Sequence, residues 1–225
     1  MLPRDLDVAT RSVEMSALRT FRARVEWLDE ASRRLTVSDT SSAIFMIGRY
    51  RAAFPEWRTR RDVLALASRA WDTAAQWADE RVPEPLEPDV SAPRARYVEQ
   101  ITLEITRSLD RLPLYYVNDL LDEKVTTPPP SVTARNDGLL DAGAIARRAA
   151  RRLAARVVTW TRSNAVRTVY GAYGITEFVW RTQRDRKVRE AHRKLEGTSW
   201  PITTGAPGEG MPGEPYNCRC WAEPF

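Results

Sequence analysis

Apolar residues recur at steps of three and four along most of this chain, which is the spacing of one face of an α-helix. One stripe runs from about Asp5 to Leu35, a short helix is predicted for residues 42–53, and a second stripe follows Pro55. A third stripe ends at Pro113. Stripes of this width are typical of core seams, so they predict amphipathic helices that pack around a core. The stripes are formed by Leu18, Phe21, Val25, Leu28 and Leu35, by Val63, Ala67, Ala70, Ala74 and Trp77, and by Val98, Ile101, Ile105, Leu109 and Leu112.

A fourth helical pattern, from about Ala142 to Tyr173, combines an apolar seam with a dense set of arginines. Between residues 142 and 176 the chain holds seven arginines and no acidic residue. Gly174 suits the left-handed conformation that often ends a helix. Two interpretations are open: the arginines lie against DNA phosphates or an acidic partner, or they form a solvated face of a packing helix. The seam is Ala146, Ala149, Leu153, Val157, Trp160 and Asn164, and the arginines are Arg147, Arg148, Arg151, Arg152, Arg156, Arg162 and Arg167.

Beyond Gly174 the pattern changes to the period of a strand. Residues 177–182 alternate, with Phe178 and Trp180 on one face. A short helix follows, and then a connector between residues 201 and 215 that contains four glycines and four prolines. The two strands predict a short antiparallel sheet with one short helix. The second strand has one face formed by Tyr216, Cys218, Cys220 and Ala222.

Two proline-rich stretches, residues 83–93 and 125–137, divide the chain along its length. The sharper boundary is the second, where Asn136-Asp137-Gly138 follows the prolines. We therefore predict a mainly α protein, with an N-terminal helical region over 1–82, a helical region over 94–124 and a module over 138–225. In this module the long basic helix is followed by the small α+β portion with its short antiparallel sheet and short helix.

Composition and charge limit the classes of protein that fit. The net charge is +5, and all basic residues except Lys124, Lys187 and Lys194 are arginine. Such a bias is typical of a GC-rich genome, which weakens any argument from the number of arginines alone. No run approaches the about 18 uninterrupted apolar residues of a membrane-spanning helix, and the N-terminus lacks the apolar stretch of a signal peptide. The sequence thus predicts a soluble protein, first located in the cytoplasm.

The residues best suited to chemistry lie close together near the C-terminus. His192 is the only histidine, and Cys218 and Cys220 are the only cysteines. Together with Asp185 they could supply the imidazole, thiolate and carboxylate groups of a tetrahedral zinc site. Alternatively, the cysteines pack as small apolar residues while Asp185 pairs with an arginine, Arg189 or Arg219. A mutual disulfide is disfavoured, because side chains two residues apart on a strand point in parallel.

The order of these residues resembles the Mu F-like head morphogenesis family of tailed phages, whose members are minor head or minor capsid proteins. The resemblance covers roughly the last third to two-fifths of the chain. It rests on Gly174-Ile175, Trp180, Asp185, Arg189, His192, Leu195, Gly197, Asn217, Cys218, Arg219 and Cys220.

The resemblance implies a structural protein of the phage virion, found in the host cytoplasm during assembly. It further implies a place at the portal vertex or head interior, with a role in head assembly, DNA packaging or ejection. The implied partners are the portal protein, the major capsid or scaffolding protein and double-stranded DNA, with no membrane.

The alternative is an enzyme, for example a metal-dependent or thiol-dependent nuclease or effector on the same C-terminal module. A cysteine and a histidine could act as nucleophile and base. However, a single histidine gives little acid–base capacity near neutral pH, and no third orienting group stands out. We therefore assign no catalytic residue and no certain cofactor, with zinc as the candidate.

Overall fold

The computed structural model describes residues 4–34, 40–82, 88–114, 116–117, 132–215 and 218–225. This part of the chain is helical up to residue 172 and ends in a small sheet, so the prediction of a mainly α protein with a small C-terminal α+β module is confirmed. None of its helices is long and apolar enough to cross a membrane. The helices are α1 (Arg4–Arg34), α2 (Thr40–Ala53), α3 (Glu56–Asp79), α4 (Ser91–Asp110), α5 (Val132–Ala172) and α6 (Glu190–Lys194), and the strands are β1 (Glu177–Arg181), β2 (Ser199–Pro201) and β3 (Trp221–Pro224).

The predicted apolar stripes lie on the buried faces of their helices. Every position of the second stripe, on α3, and of the third, on α4 and just beyond it, is buried. On α1, Phe21, Val25 and Leu28 are buried, whereas Leu18 is half-buried and Leu35 lies outside the described residues. The spacing of apolar residues therefore identified these helices and the faces on which they pack.

Helix α5 is longer than predicted, because it begins at Val132. Residues 132–137, predicted as part of a linker, are helical, and Asn136-Asp137-Gly138 lies inside the helix. Asn, Asp and Gly each cost about 1 kcal/mol or less in a helix interior, so a long helix can include all three, unlike proline at about 3 kcal/mol. In the first predicted linker, residues 88–90 lie outside helices and residues 91–93 form the first turn of α4. Residues 83–87 and 125–131 lie outside the described residues.

The chain forms two compact units, each built from segments that are distant in the sequence. The first comprises Met1–Ser16, Leu64–Thr102 and Ala155–Phe225, and the second comprises Ala17–Val63 and Leu103–Ala154. In the second unit, the Tyr50 hydroxyl donates to the backbone carbonyl of Leu109 at 2.9 Å. The ring of Tyr50 also packs edge-on against Trp27, with centroids 5.8 Å apart. The buried ring of Tyr50, with its hydroxyl hydrogen-bonded, thus joins distant parts of this unit.

The first unit contains the small sheet, which has three strands in the order β2-β1-β3, all antiparallel. Strand β1 is central, and Phe178 and Trp180 on its buried face are fully enclosed. Strand β2 was not predicted. The last strand begins at Trp221, five residues after the predicted start, although Cys218, Cys220 and Ala222 keep the predicted alternation of buried positions.

The sheet packs on the C-terminal half of α5. Val166, Val169 and Tyr170 of the helix share one apolar cluster with Phe178 and Trp180. The helix ends where Gly174 adopts a φ of 75°, in the left-handed region that the sequence predicted. This turn directs the chain from α5 into β1 and sets the position of the buried residues near the C-terminus.

Candidate metal centre

His192 lies on α6 and faces both cysteines. Its Nδ1 atom is 3.6 Å from Sγ of Cys218 and 3.5 Å from Sγ of Cys220. His192, Cys218 and Cys220 are 2%, 2% and 1% exposed, respectively. The structure therefore brings three of the four predicted metal-ligating residues into one buried cluster, hereafter the Cys–His cluster.

Strand β1 positions the Cys–His cluster through the side chain of Trp180. The ring of Trp180 meets that of His192 edge-on, with centroids 5.4 Å apart and an interplanar angle of 70°. In the sheet, Trp180 is also the register partner of Ala222, two residues after Cys220. Because β1 is the central strand, the indole ring is a fixed platform for both the imidazole and the cysteine segment.

Glu209 completes the surroundings of the histidine. Its Oε2 atom lies 2.9 Å from Nε2 of His192, on the opposite side of the ring from the cysteines. Glu209 stands between two glycines with positive φ, Gly208 at 76° and Gly210 at 67°. Glu209 was not among the residues predicted from the sequence. In the sequence, Glu209 is distinguished only as an acidic residue between two glycines of the connector. That pattern does not indicate that Glu209 lies close to His192.

Asp185 is not part of the Cys–His cluster. It is exposed and forms an ion pair with Arg219, and it accepts the backbone N–H of Lys187 at 2.9 Å. Although partial desolvation acts in the opposite direction, these hydrogen bonds hold the pKa of Asp185 below its usual value. The structure thus places Asp185 in the turn before α6, paired with one of the two arginines that the sequence offered.

The two sulfur atoms of the cluster have different electrostatic surroundings. The thiol of Cys220 donates to Cys218 and lowers the pKa of Cys218; burial opposes this effect, and His192 and the N–H groups of Cys220 and Gly213 add to it. The pKa of Cys220 is raised by Cys218 and by burial. Hydrogen bonding to Cys218, opposed by burial and aided by Glu209, raises the pKa of His192. The cluster therefore favours a negative charge on Cys218.

Arg162 of α5 holds the backbone of the cysteine segment. Its side chain is buried, and its Nη2 atom donates to the carbonyl oxygens of Cys220 at 3.1 Å and Cys218 at 3.4 Å. The segment from Cys218 to Cys220 precedes β3, and there a guanidinium group takes the place of a strand partner. In the sheet, Trp221 is the register partner of Arg181, the last residue of β1, which accounts for the start of the last strand at Trp221.

Two further arginines of α5 contact the glycine- and proline-rich connector. Arg167 forms an ion pair with Glu214 at 2.6 Å, and Arg156 donates to the carbonyl oxygen of the same residue at 3.4 Å. Gly213, next to them, has a φ of 101°, and a Cβ atom there would lie 2.7 Å from the Thr159 carbonyl oxygen. The connector is thus fastened closely to the helix.

The other four arginines of the predicted anion-binding set lie further toward the start of α5. Arg147 forms an ion pair with Asp29 at 3.0 Å. Arg148, Arg151 and Arg152 are exposed. Arg148 and Arg152, together with Arg111, line a pocket of about 480 Å³. Arg111 was not among the predicted arginines, because it follows α4 and its proximity to α5 depends on tertiary structure.

The remaining residues of the predicted family motif have local structural roles. Arg189 occupies the N-cap position of α6. Gly197 has a φ of 75°, and its N–H donates to the carbonyl oxygen of Trp180 at 2.8 Å, which returns the chain to the sheet. Asn217 lies outside the described residues.

The comparison with known families gives a match over the C-terminal part of the chain. Residues 131–223 match the family model described as Phage Mu protein F like protein. No curated protein and no solved structure matches the chain. The matched segment includes α5, β1, β2, all but the last residue of β3, and the Cys–His cluster.

Proposed function

We propose that the protein is a structural component of phage head morphogenesis, because residues 131–223 match the Mu F-like family model, as the resemblance predicted. The family suggests a head morphogenesis protein. In the specific role that we propose, the protein docks on the portal or the capsid interior and lies beside the packaged DNA. The family match is the observation that carries this conclusion.

The burial of the Cys–His cluster supports a structural role over an enzymatic one. His192, Cys218 and Cys220 are each no more than 2% exposed. A nucleophile or base must reach its substrate within hydrogen-bonding distance. A substrate would have to displace the connector, which Arg156 and Arg167 fasten to α5 through Glu214. This arrangement is better suited to holding the C-terminal segment in place than to catalysing a reaction.

Exposed apolar side chains in the second unit support docking on another protein. Ile44 and Phe45 of α2 are 64% and 57% exposed, and Trp57 at the start of α3 is 66% exposed. Large aromatic side chains are enriched among the residues that dominate binding energy at protein interfaces. We propose that these three side chains contact the portal protein.

We expect the triple variant Ile44→Ser, Phe45→Ser, Trp57→Ser to lose portal binding while it remains folded. Truncation of an interface anchor typically costs about 2 kcal/mol or more, so the combined loss of affinity is at least about 30-fold. Pull-down of this protein by immobilised portal protein measures the loss, and circular dichroism checks the fold.

The matched control is Phe225→Ser, which removes an aromatic side chain that is 83% exposed at the other end of the chain. It should bind portal protein as the unmodified chain does. Equal binding by the triple variant and this control would exclude α2 and the start of α3 as the docking surface.

The arginine-lined pocket supports contact with DNA. Arg111, Arg148 and Arg152 line one pocket, and all three are exposed. We expect replacement of all three with glutamine to weaken binding to double-stranded DNA. The slope of log K against log salt concentration should become shallower by up to about 3, since each phosphate contact contributes about 0.9. Fluorescence anisotropy over a salt series measures both quantities.

A control of equal charge change is the glutamine triple variant of Arg22, Arg58 and Arg69, which are exposed on α1 and α3. Its salt slope should stay close to that of the unmodified chain. If both triple variants lower the slope equally, the attraction to DNA reflects net charge, and no defined site exists at the pocket.

A further inference from the structure

We propose that the Cys–His cluster is a zinc site, with Nδ1 of His192 and the Sγ atoms of Cys218 and Cys220 as its protein ligands. Three potential ligand atoms, one from each residue, lie within 4.8 Å of one another. This inference does not depend on the proposed role in head morphogenesis.

The distances within the cluster agree with tetrahedral zinc. With a Zn–S bond of about 2.3 Å and a Zn–N bond of about 2.0 Å, a tetrahedral angle separates sulfur from nitrogen by about 3.5 Å. The observed separations are 3.5 and 3.6 Å. A single N–H group can point at only one sulfur, whereas Nδ1 stands at nearly the same distance from both. Equal spacing is the arrangement that a shared ion between the three atoms produces.

The orientation of the imidazole ring also supports a zinc site. Glu209 lies 2.9 Å from Nε2, so in the neutral ring this nitrogen carries the proton and donates to the carboxylate. The lone pair of Nδ1 then faces the two sulfurs. A carboxylate on the outer nitrogen of a metal-bound histidine is a common feature of zinc sites, because it fixes the tautomer and makes the ligating nitrogen more basic.

The charges and donor types select zinc among the common cations. Two thiolates would neutralise a divalent ion, so the buried site would carry no net charge from its ion and sulfur ligands. Sulfur and imidazole donors favour zinc over calcium or magnesium, which prefer oxygen.

The ion would join three separate parts of the module. His192 lies on α6, the cysteines precede β3, and Glu209 connects the site to the glycine- and proline-rich connector. The cross-link from His192 to Cys218 closes a loop of 26 residues. Such a closure stabilises a sheet whose three strands, of five, three and four residues, bury little surface of their own.

The first test uses the unmodified chain, purified without chelators. We expect one zinc ion per chain by elemental mass spectrometry, released when the two thiols are titrated with an organomercurial. X-ray absorption should give two sulfur neighbours and two nitrogen or oxygen neighbours. Removal of the ion should lower the thermal midpoint by about 5–10 °C, and zinc but not magnesium should restore it.

The second test compares variants. Cys220→Ser and His192→Ala should lose the bound zinc, and Glu209→Gln should weaken zinc affinity by about 10–100-fold. Asp185→Asn is the matched control, because this carboxylate pairs with Arg219 outside the cluster. It should keep one zinc ion per chain. Loss of zinc in this control would contradict the three-residue ligand set.

Two results would overturn the zinc site. One is a purified chain that holds no zinc, takes up none in zinc-containing buffer and keeps the same thermal midpoint. The other is alkylation of Cys218 and Cys220 at the same rate with and without zinc, since metal-bound thiolates are shielded from the reagent. Either result would leave the cluster as a hydrogen-bonded cysteine–histidine group.

Discussion

Replacement of Trp180 with alanine is expected to lower the free energy of unfolding by about 3–5 kcal/mol. Trp180 is fully buried on the central strand β1. Its ring contacts Phe178, with centroids 6.4 Å apart, and meets the ring of His192. The substitution removes the platform under the Cys–His cluster and leaves a cavity in a region tied to α5. Denaturant titration followed by circular dichroism measures the change.

Trp57→Ala is the control for this prediction, because Trp57 is 66% exposed. Surface substitutions usually change stability by less than about 0.5 kcal/mol. A similar loss of stability in the two tryptophan variants would contradict the described burial of Trp180 in the core beneath β1. A loss confined to Trp180→Ala agrees with the described packing.

Arg162→Met is expected to lower the free energy of unfolding by about 2–6 kcal/mol, because two buried carbonyl groups lose their donor at about 1–3 kcal/mol each. Methionine retains much of the apolar stem, so the loss reports mainly on the guanidinium group. The two affected carbonyls belong to Cys218 and Cys220. The end of the chain should become accessible to proteolysis in this variant, which limited digestion with mass spectrometry detects.

Arg148→Met makes the same chemical change on the same helix at an exposed position. Its effect on unfolding should be within about 0.5 kcal/mol, and its C-terminus should stay protected. A small effect at both positions would mean that solvent, and not Arg162, satisfies the cysteine carbonyls.

The helices could be predicted because their signals are local. On α3 the predicted stripe from Val63 to Trp77 is buried at every position, since helical spacing alone decides which residues share a face. The same reasoning identified β1, whose alternation places Phe178 and Trp180 together. The boundaries were less accurate, and α5 starts at Val132 because neither Gly138 nor its polar neighbours stops a helix.

The roles of the arginines on α5 could not be predicted from their spacing. All seven have the same chemistry in the sequence, yet Arg162 is buried and Arg148 is exposed. Residues 161–166 are buried on every side of the helix, whereas the sequence pattern predicted only one buried face. Part of this burial comes from the cysteine segment, whose carbonyl oxygens accept from Arg162 at sequence separations of 56 and 58 residues, and such long-range contacts have no periodic signature.

The candidate site likewise has some features that could be predicted from the sequence and others that depend on long-range contacts. The identity of His192, Cys218 and Cys220 as the chemically distinctive residues was readable, because each type occurs so rarely in the chain. Their convergence was a prediction from ligand chemistry, and the structure brings these three together but not Asp185. Glu209 went unnoticed because its contact with His192 depends on the path of the glycine- and proline-rich connector.

The most direct test of the proposed role is the protein content of phage particles purified from producing cells on a density gradient. Quantitative mass spectrometry should find this chain at a constant ratio to the major capsid protein across the particle fractions, and a high-salt wash should not remove it. Complete recovery of the chain in the soluble fraction, beside normally assembled heads, would contradict a structural place in the head.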